Sequence, residues 1–266
     1  MDQTKTHTNI KIHLPTEGNE LLDKALEKVN RNEEVTTLWQ VVNVNAIDRL
    51  GMTDHGPVHF QIVSNIAVRL VRLLVKSGIK MSITKDFGLS GKHAELVVLL
   101  ASLFHDLGMS IQRDEHEEFS LFLANNLLHE IIDFLPVVQK TIVISESLHA
   151  IISHRSDGQP FTIEAGIVRV ADALDMNQGR SRIPYEAGKV DIHSVSAMAI
   201  ENVEIAMGKT KPVEISIHMN NSAGLFQVDE LLKRKLIGSG IEKYIEVKAY
   251  VQGETEKKLL KEFTIK

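Results

Sequence analysis

Six side chains have the types and placement to hold a metal ion: His59, His105, Asp106, His116, His154 and Asp172. Each falls near a helix end or inside an otherwise apolar segment. The centre of the set is an adjacent pair. The mostly apolar run Leu96 to Phe104 ends on His105-Asp106, and Leu107-Gly108 follows. Asp172 stands in Ile167-Val168-Arg169-Val170-Ala171-Asp172-Ala173-Leu174, a carboxylate within an apolar helix. A buried, unpaired carboxylate costs several kcal/mol or takes up a proton. A bound cation removes that cost; a salt bridge to Arg169 is the plainer alternative. The chain has no cysteine, which argues against a structural zinc site and restricts any metal to nitrogen and oxygen ligands. Imidazoles combined with carboxylates suit Mn, Fe, Co, Ni or Zn and tolerate Mg.

The elements that must carry these groups read mainly as helices. Apolar periodicity predicts helices over 19–30 and 35–50. Thr53-Asp54-His55-Gly56-Pro57 is a helix start, with Asp54 or Gly56 as cap and Pro57 in the first turn, and the helix runs to Val75. Further helices are expected over 91–107, ending on the His-Asp pair, over 113–134, from Pro136 to Ser153, and over 163–174. After about Gly179 the pattern changes. Residues 199–207 and 213–218 alternate, 225–236 read as a helix, and 244–251 and 258–265 alternate again. The fold class is therefore mainly α, a helical bundle followed by a small ββαββ α+β unit. The expected division is 1–192 and 193–266, with the helical core at about 50–180.

The residues carry a resemblance. His59 followed by Val63, then His105-Asp106, then Ala171-Asp172, resembles the H…HD…D signature of the HD-domain metal-dependent phosphohydrolases. His116-Glu117-Glu118-Phe119-Ser120 is similar to the block that follows the HD pair in several subfamilies. His154-Arg155-Ser156-Asp157-Gly158 resembles the second-metal region of HD-GYP phosphodiesterases, with one of the paired histidines missing and no Gly-Tyr-Pro following. The resemblance covers about residues 50–180 and does not extend to the C-terminal unit. It implies a first metal held by His59, His105, Asp106 and Asp172. It also implies either a second metal at His116 and His154, bridged by Asp106, or a single-metal site in which those histidines handle protons. His149 is the spare candidate for the second metal, and His55 the competitor of His59.

The resemblance implies hydrolysis of a phosphomonoester or phosphodiester, with a nucleotide as the expected substrate. A metal lowers the pKa of water and offsets charge on a phosphoryl oxygen. A histidine such as His116 can protonate the leaving oxygen near neutral pH. Arg155, Arg180 and Arg182 are the candidate phosphate contacts, with Arg113 and Lys189 as weaker ones. Two other classes stay open: a degenerate HD protein that binds without turnover, supported by the altered His154 block, and a di-iron oxygenase.

Composition narrows the rest. A hydrophobic content of 43% in 266 residues supports a large core without staples. The formal net charge of −5 makes general nucleic-acid binding unexpected. Met1 to Leu14 shows no signal-peptide pattern, and no uninterrupted apolar run approaches a membrane span. A cytoplasmic protein is expected. The strand edges of the tail would suit pairing as a homodimer.

Overall fold

The computed structural model describes residues 11–176 and 196–251, and the backbone of 263–265. Helix α1 spans Glu20–Arg31. The Asn19 side chain caps it by accepting from Leu21 N, and Lys28 and Arg31 sit in its last turn, where they complement the helix dipole. Asn32 ends α1 and caps α2, Glu33–Asn43, through Val35 N. The expected single helix over 35–50 then changes pitch, and Val44–Arg49 is wound as a π-helix. The wider turn carries the buried Asn45, whose amide donates to the carbonyls of Met109 and Ser110 at 2.7 and 3.0 Å. That bond ties the segment just after the His-Asp pair to this helix. Helical irregularities of this kind recur near functional sites.

Helix α3 spans Pro57–Lys76, with Pro57 in its first turn as expected. Its buried face carries His59, Phe60, Val63, Ala67, Leu70, Val71 and Leu74. By length and composition alone α3 could cross a membrane, but half of its apolar window is buried inside this structure. Gly78, at φ +83°, turns the chain away from it. Helix α4, Ser82–Phe87, has no counterpart in the sequence reading. Its cap is distant: the Glu164 carboxylate accepts from Ser82 N and Ile83 N at 3.1 and 3.0 Å. No local pattern could announce that.

Helix α5, Gly91–Phe104, is the central element and is buried without a break from Leu96 to Phe104. It packs against α3 and α1, and against α7 (Val137–Ile152) and α8 (Ile163–Ala173). It stops three residues before the expected end. His105 caps it and Asp106 leaves helical geometry, at φ −103° and ψ 8°. A 3-10 turn then covers Leu107–Ser110. Helix α6 starts at His116 rather than Arg113 and ends at Ile131. The residue before it, Glu115, adopts a left-handed conformation at φ 57°.

The C-terminal unit has the ββαββ order expected. Strands β1 (Ile200–Met207), β2 (Val213–Met219), β3 (Ile245–Val251) and β4 (Phe263–Ile265) form one sheet in the order β1-β2-β3-β4. β1 and β2 are antiparallel, β2 and β3 are parallel, and β3 and β4 are antiparallel. A parallel pair needs a crossover. Here it includes α9, a π-helical stretch Gln227–Lys233 that runs into an α turn Arg234–Leu236. Val213, Ile215 and Ile217 of β2, Ile245 and Val247 of β3, and Val228 and Leu232 of α9 are buried in the same core as the bundle. The chain is thus mainly α with a small α+β unit at its end.

Candidate metal centre

Five helices bring the six residues together. α3 supplies His59 from its first turn, and the end of α5 supplies His105 and Asp106. The start of α6 supplies His116, the turn after α7 supplies His154, and α8 supplies Asp172. The Asp106 carboxylate is shared between two pairs of imidazoles. Its Oδ2 lies 3.6 and 3.4 Å from Nε2 of His59 and His105. Its Oδ1 lies 3.0 and 3.6 Å from Nε2 of His116 and His154. Asp172 Oδ1 lies 3.4 and 3.7 Å from Nε2 of His59 and His105.

The other ring nitrogens fix how the imidazoles are used. His59 Nδ1–H donates to Asp175 Oδ2 at 2.6 Å. His105 Nδ1–H donates to the carbonyl of Ser102 at 2.9 Å, and His154 Nδ1–H to that of Ile151 at 2.7 Å. With the proton on Nδ1, Nε2 keeps its lone pair, the form a metal takes. His116 differs. Its Nδ1 is 2.9 Å from the Arg113 carbonyl and 3.0 Å from the Arg113 guanidinium. In one tautomer Nδ1 donates to the carbonyl, and in the other it accepts from the guanidinium.

These contacts test whether a cation fits. His59 Nε2 and His105 Nε2 lie 3.1 Å apart, and both Nδ1 atoms already donate to oxygen. Two neutral rings so arranged would point lone pairs at each other, which a shared cation relieves. The carboxylates of Asp106, Asp172 and Asp175 are buried or nearly so. Neutral imidazoles and more carboxylates than nearby ammonium groups form a donor set for a divalent metal. The sets His59, His105, Asp172 and His105, Asp106, His154 each bring one donor atom per residue within 4.8 Å of the others. The residues fit the group.

The acid–base balance follows from the same packing. Burial pushes the Asp106 carboxyl up, but His105 and His116 outweigh it and hold the group well below the usual carboxylate range. Burial likewise opposes ionisation of Asp172, and Lys235 and His105 overcome it to hold this carboxyl well below that range too. Burial pulls His105 down, but Asp106 and Asp172 raise it overall. Burial and the neighbouring His105 push His154 well down, which keeps it neutral.

The second layer was less visible in the sequence. Ser120 Oγ donates to the His105 carbonyl at 2.7 Å and accepts from Gly108 N at 2.8 Å. Gly108 has no room for a side chain, since a Cβ there would lie 1.9 Å from the His116 carbonyl oxygen. So the glycine after the His-Asp pair lets the turn close onto α6. The cation beside Asp172 is Lys235 of α9, which forms an ion pair with Asp172 Oδ2. Arg169, the partner the sequence suggested, instead donates to the carbonyls of Gly158, Ser156 and Arg234. Neither Asp175 nor Lys235 was singled out by sequence. Asp175 lies beyond the helix that carries Asp172, and Lys235 reads as one of several charges on a surface helix.

The remaining candidates fall as follows. Arg155 is 36% exposed and pairs with Glu117 at 3.3 Å, at the rim beside His116. Arg180, Arg182 and Lys189 lie outside the described residues. His149 accepts from Phe161 N through Nε2 at 2.8 Å and stacks on the Phe161 ring, so its ring is engaged by the 160s loop. His55 is buried beside His59, ring centres 5.6 Å apart, with Nδ1 on the Thr53 carbonyl.

A buried cluster of nitrogen and oxygen donors that could hold a cation, set between the helices of a bundle, points to the class of protein. The HD domain family model matches residues 61–177. The chain is also 40% identical over 240 residues to the uncharacterized protein MJ1020 of Methanocaldococcus jannaschii, spanning 90% of this chain and 92% of that one. The chain belongs to the HD-domain family. The matched stretch contains His105, Asp106, His116, His154, Asp172 and Asp175, while His59 lies just ahead of it and Lys235 well beyond. No solved structure matches the chain.

Proposed function

We propose that the protein is a metal-dependent phosphohydrolase acting on a small phosphomonoester or phosphodiester, with a nucleotide as the favoured class. One observation carries the reading. Asp106 turns one oxygen toward His59 and His105 and the other toward His116 and His154, the arrangement expected of a bridge between two cations. His59, His105, Asp106 and Asp172 would hold the first ion, and His116 and His154, with Asp106, the second. Divalent ions held there, such as Mn, Fe, Co, Ni, Zn or Mg, would activate water and offset charge on a phosphoryl oxygen.

The chain's own residues do the rest. Asp175, Ser102 and Ile151 hold three imidazoles in the ligating tautomer. The apolar walls of α3 and α5 exclude bulk water and strengthen the electrostatics inside. His116, with partners for either tautomer, is suited to receive or give a proton in the reaction. Arg155 at the rim is suited to hold a substrate phosphate, as are Arg180 and Arg182 on sequence grounds. A cytoplasmic homodimer remains the proposed physiological form.

The test is metal analysis followed by add-back of Mn, Ni or Fe, with turnover measured on a generic phosphoester and a panel of nucleotides. Turnover by the wild-type chain that is lost in Asp106→Ala supports the reading. No turnover by the metal-loaded chain sinks it. Iron retention with oxygen consumption would favour an oxygenase, and nucleotide affinity without turnover a binding protein.

A further inference from the structure

The C-terminal unit is docked along one face of α8, the helix that carries Asp172. Gly166 lies so close to the Ser239 carbonyl that a Cβ would come within 2.1 Å of its oxygen. One turn on, Arg169 donates to the Arg234 carbonyl at 3.2 Å. One further turn on, Asp172 meets the Lys235 ammonium. Positions 166, 169 and 172 share a helix face, so this row of contacts sets α9 against the site.

Lys235 is placed to do more than neutralise a carboxylate. Asp172 turns Oδ1 toward His59 and His105 and Oδ2 toward Lys235, so the ammonium sits across the carboxylate from the imidazoles. An ammonium has three N–H donors. Among the described residues it uses one, on Asp172. Lys235 and Asp172 are 17% and 13% exposed, whereas His59 and His105 are fully covered. The cluster is thus more open at the Lys235 edge than at those imidazoles.

We propose that Lys235 is a phosphate-binding residue of the active site, supplied by the C-terminal unit, and that its N–H groups not engaged by Asp172 bind a non-bridging oxygen of the substrate phosphoryl group. The C-terminal unit is on this account a part of the active site. The inference rests on the phosphohydrolase reading for the nature of the anion.

The test uses the full chain loaded with Mn2+ and inorganic phosphate as the probe. Binding is read by titration calorimetry and by the fluorescence of Trp39, whose indole donates to the Leu103 carbonyl beside the His-Asp pair. In K235M the phosphate Kd is expected to rise about 30-fold, the order expected for a lost charge-assisted hydrogen bond, with the Mn2+ Kd changed less than about 5-fold. The chain has no cysteine, so K235C carries a single thiol. Alkylation of that thiol with bromoethylamine rebuilds an ammonium at nearly the same reach and is expected to restore phosphate binding. K235R, which keeps the cation, covers the case in which a neutral variant does not fold. It is expected to stay within about 10-fold of wild type.

Unchanged phosphate affinity in K235M overturns the proposal. So does failure of the alkylated protein or of K235R to bind phosphate, a Mn2+ affinity that falls as far as the phosphate affinity, or a wild-type chain that binds no phosphate. Phosphate held through Lys235 without hydrolysis of any phosphoester would keep this inference and remove the phosphohydrolase reading. Hydrolysis at an equal rate in K235M would do the reverse.

Discussion

Asp175 Oδ2 accepts a hydrogen bond from Nδ1 of His59 at 2.6 Å, joining residues 116 apart in the chain. The contact sets the tautomer of His59 and makes its Nε2 a better donor to a cation. Outer partners of this kind typically contribute about 10- to 100-fold to metal affinity. Asp175→Ala is expected to weaken Mn2+ binding by about that factor, and Asp175→Asn, whose amide oxygen can still accept the hydrogen bond, by about 10-fold or less. Competition with a fluorescent chelator measures both. Equal affinity in wild type and Asp175→Ala would remove the role assigned to this pair.

The split use of Asp106 predicts a stoichiometry. On the proposed assignment wild type should bind about two manganese ions per chain, and His154→Asn about one, because the proposed second site would lose a donor while the first would keep its four. Asp106→Ala should lose both. Elemental analysis after gel filtration counts them. An unchanged count in His154→Asn would favour a single ion and leave His154 to proton transfer.

Gly108 and Ser120 test the turn that presents the His-Asp pair. Gly108→Ala puts a methyl into the His116 carbonyl. The backbone must move, at a cost of about 3 kcal/mol or more. Ser120→Ala leaves the His105 carbonyl and Gly108 N without this hydroxyl, at about 1–3 kcal/mol. Chemical denaturation gives both values, and each variant should also bind metal more weakly. A Gly108→Ala protein of wild-type stability would contradict the packing described.

One pH effect lies away from the metal centre. Burial pushes the Glu146 carboxyl up to about 7, and the charges of Glu164 and Asp86 push it the same way. Its Oε2 is buried without a hydrogen-bond partner among the described residues. A carboxyl raised in the folded state binds a proton that the unfolded chain releases. It therefore costs stability as pH rises from about 4.5 to 7. Glu146→Gln should match wild type near pH 4.5 and exceed it above pH 7. The gain should be about 1 kcal/mol, the half-buried position being partly screened by solvent, or about 2 °C in Tm. Thermal melts at the two pH values check it, and an equal difference at both would disprove the cause.

The helices that carry the centre were legible because each buries a stripe with its own local period. Val63, Ala67, Leu70 and Leu74 of α3 show it, while Leu96 to Phe104 was legible as an unbroken apolar run and Val213 to Met219 as a strand by its alternation. The positions of His105, Asp106 and Asp172 were legible for a related reason. A polar, ligating group inside an apolar stretch is costly unless something pairs with it, and that conflict is written in the sequence. Three features were not written there. Helix α4 is capped by Glu164, 82 residues from Ser82. His59, the first of the proposed ligands, is oriented by Asp175 from just beyond the end of α8, and Asp172 meets Lys235 rather than Arg169. Such partners share neither a helix nor a local pattern with the groups they serve. Side-chain type and period determine which groups are buried and which can ligate. Which proton each imidazole keeps, and which cation faces each carboxylate, depends on distances of about 3 Å across elements that only packing brings together.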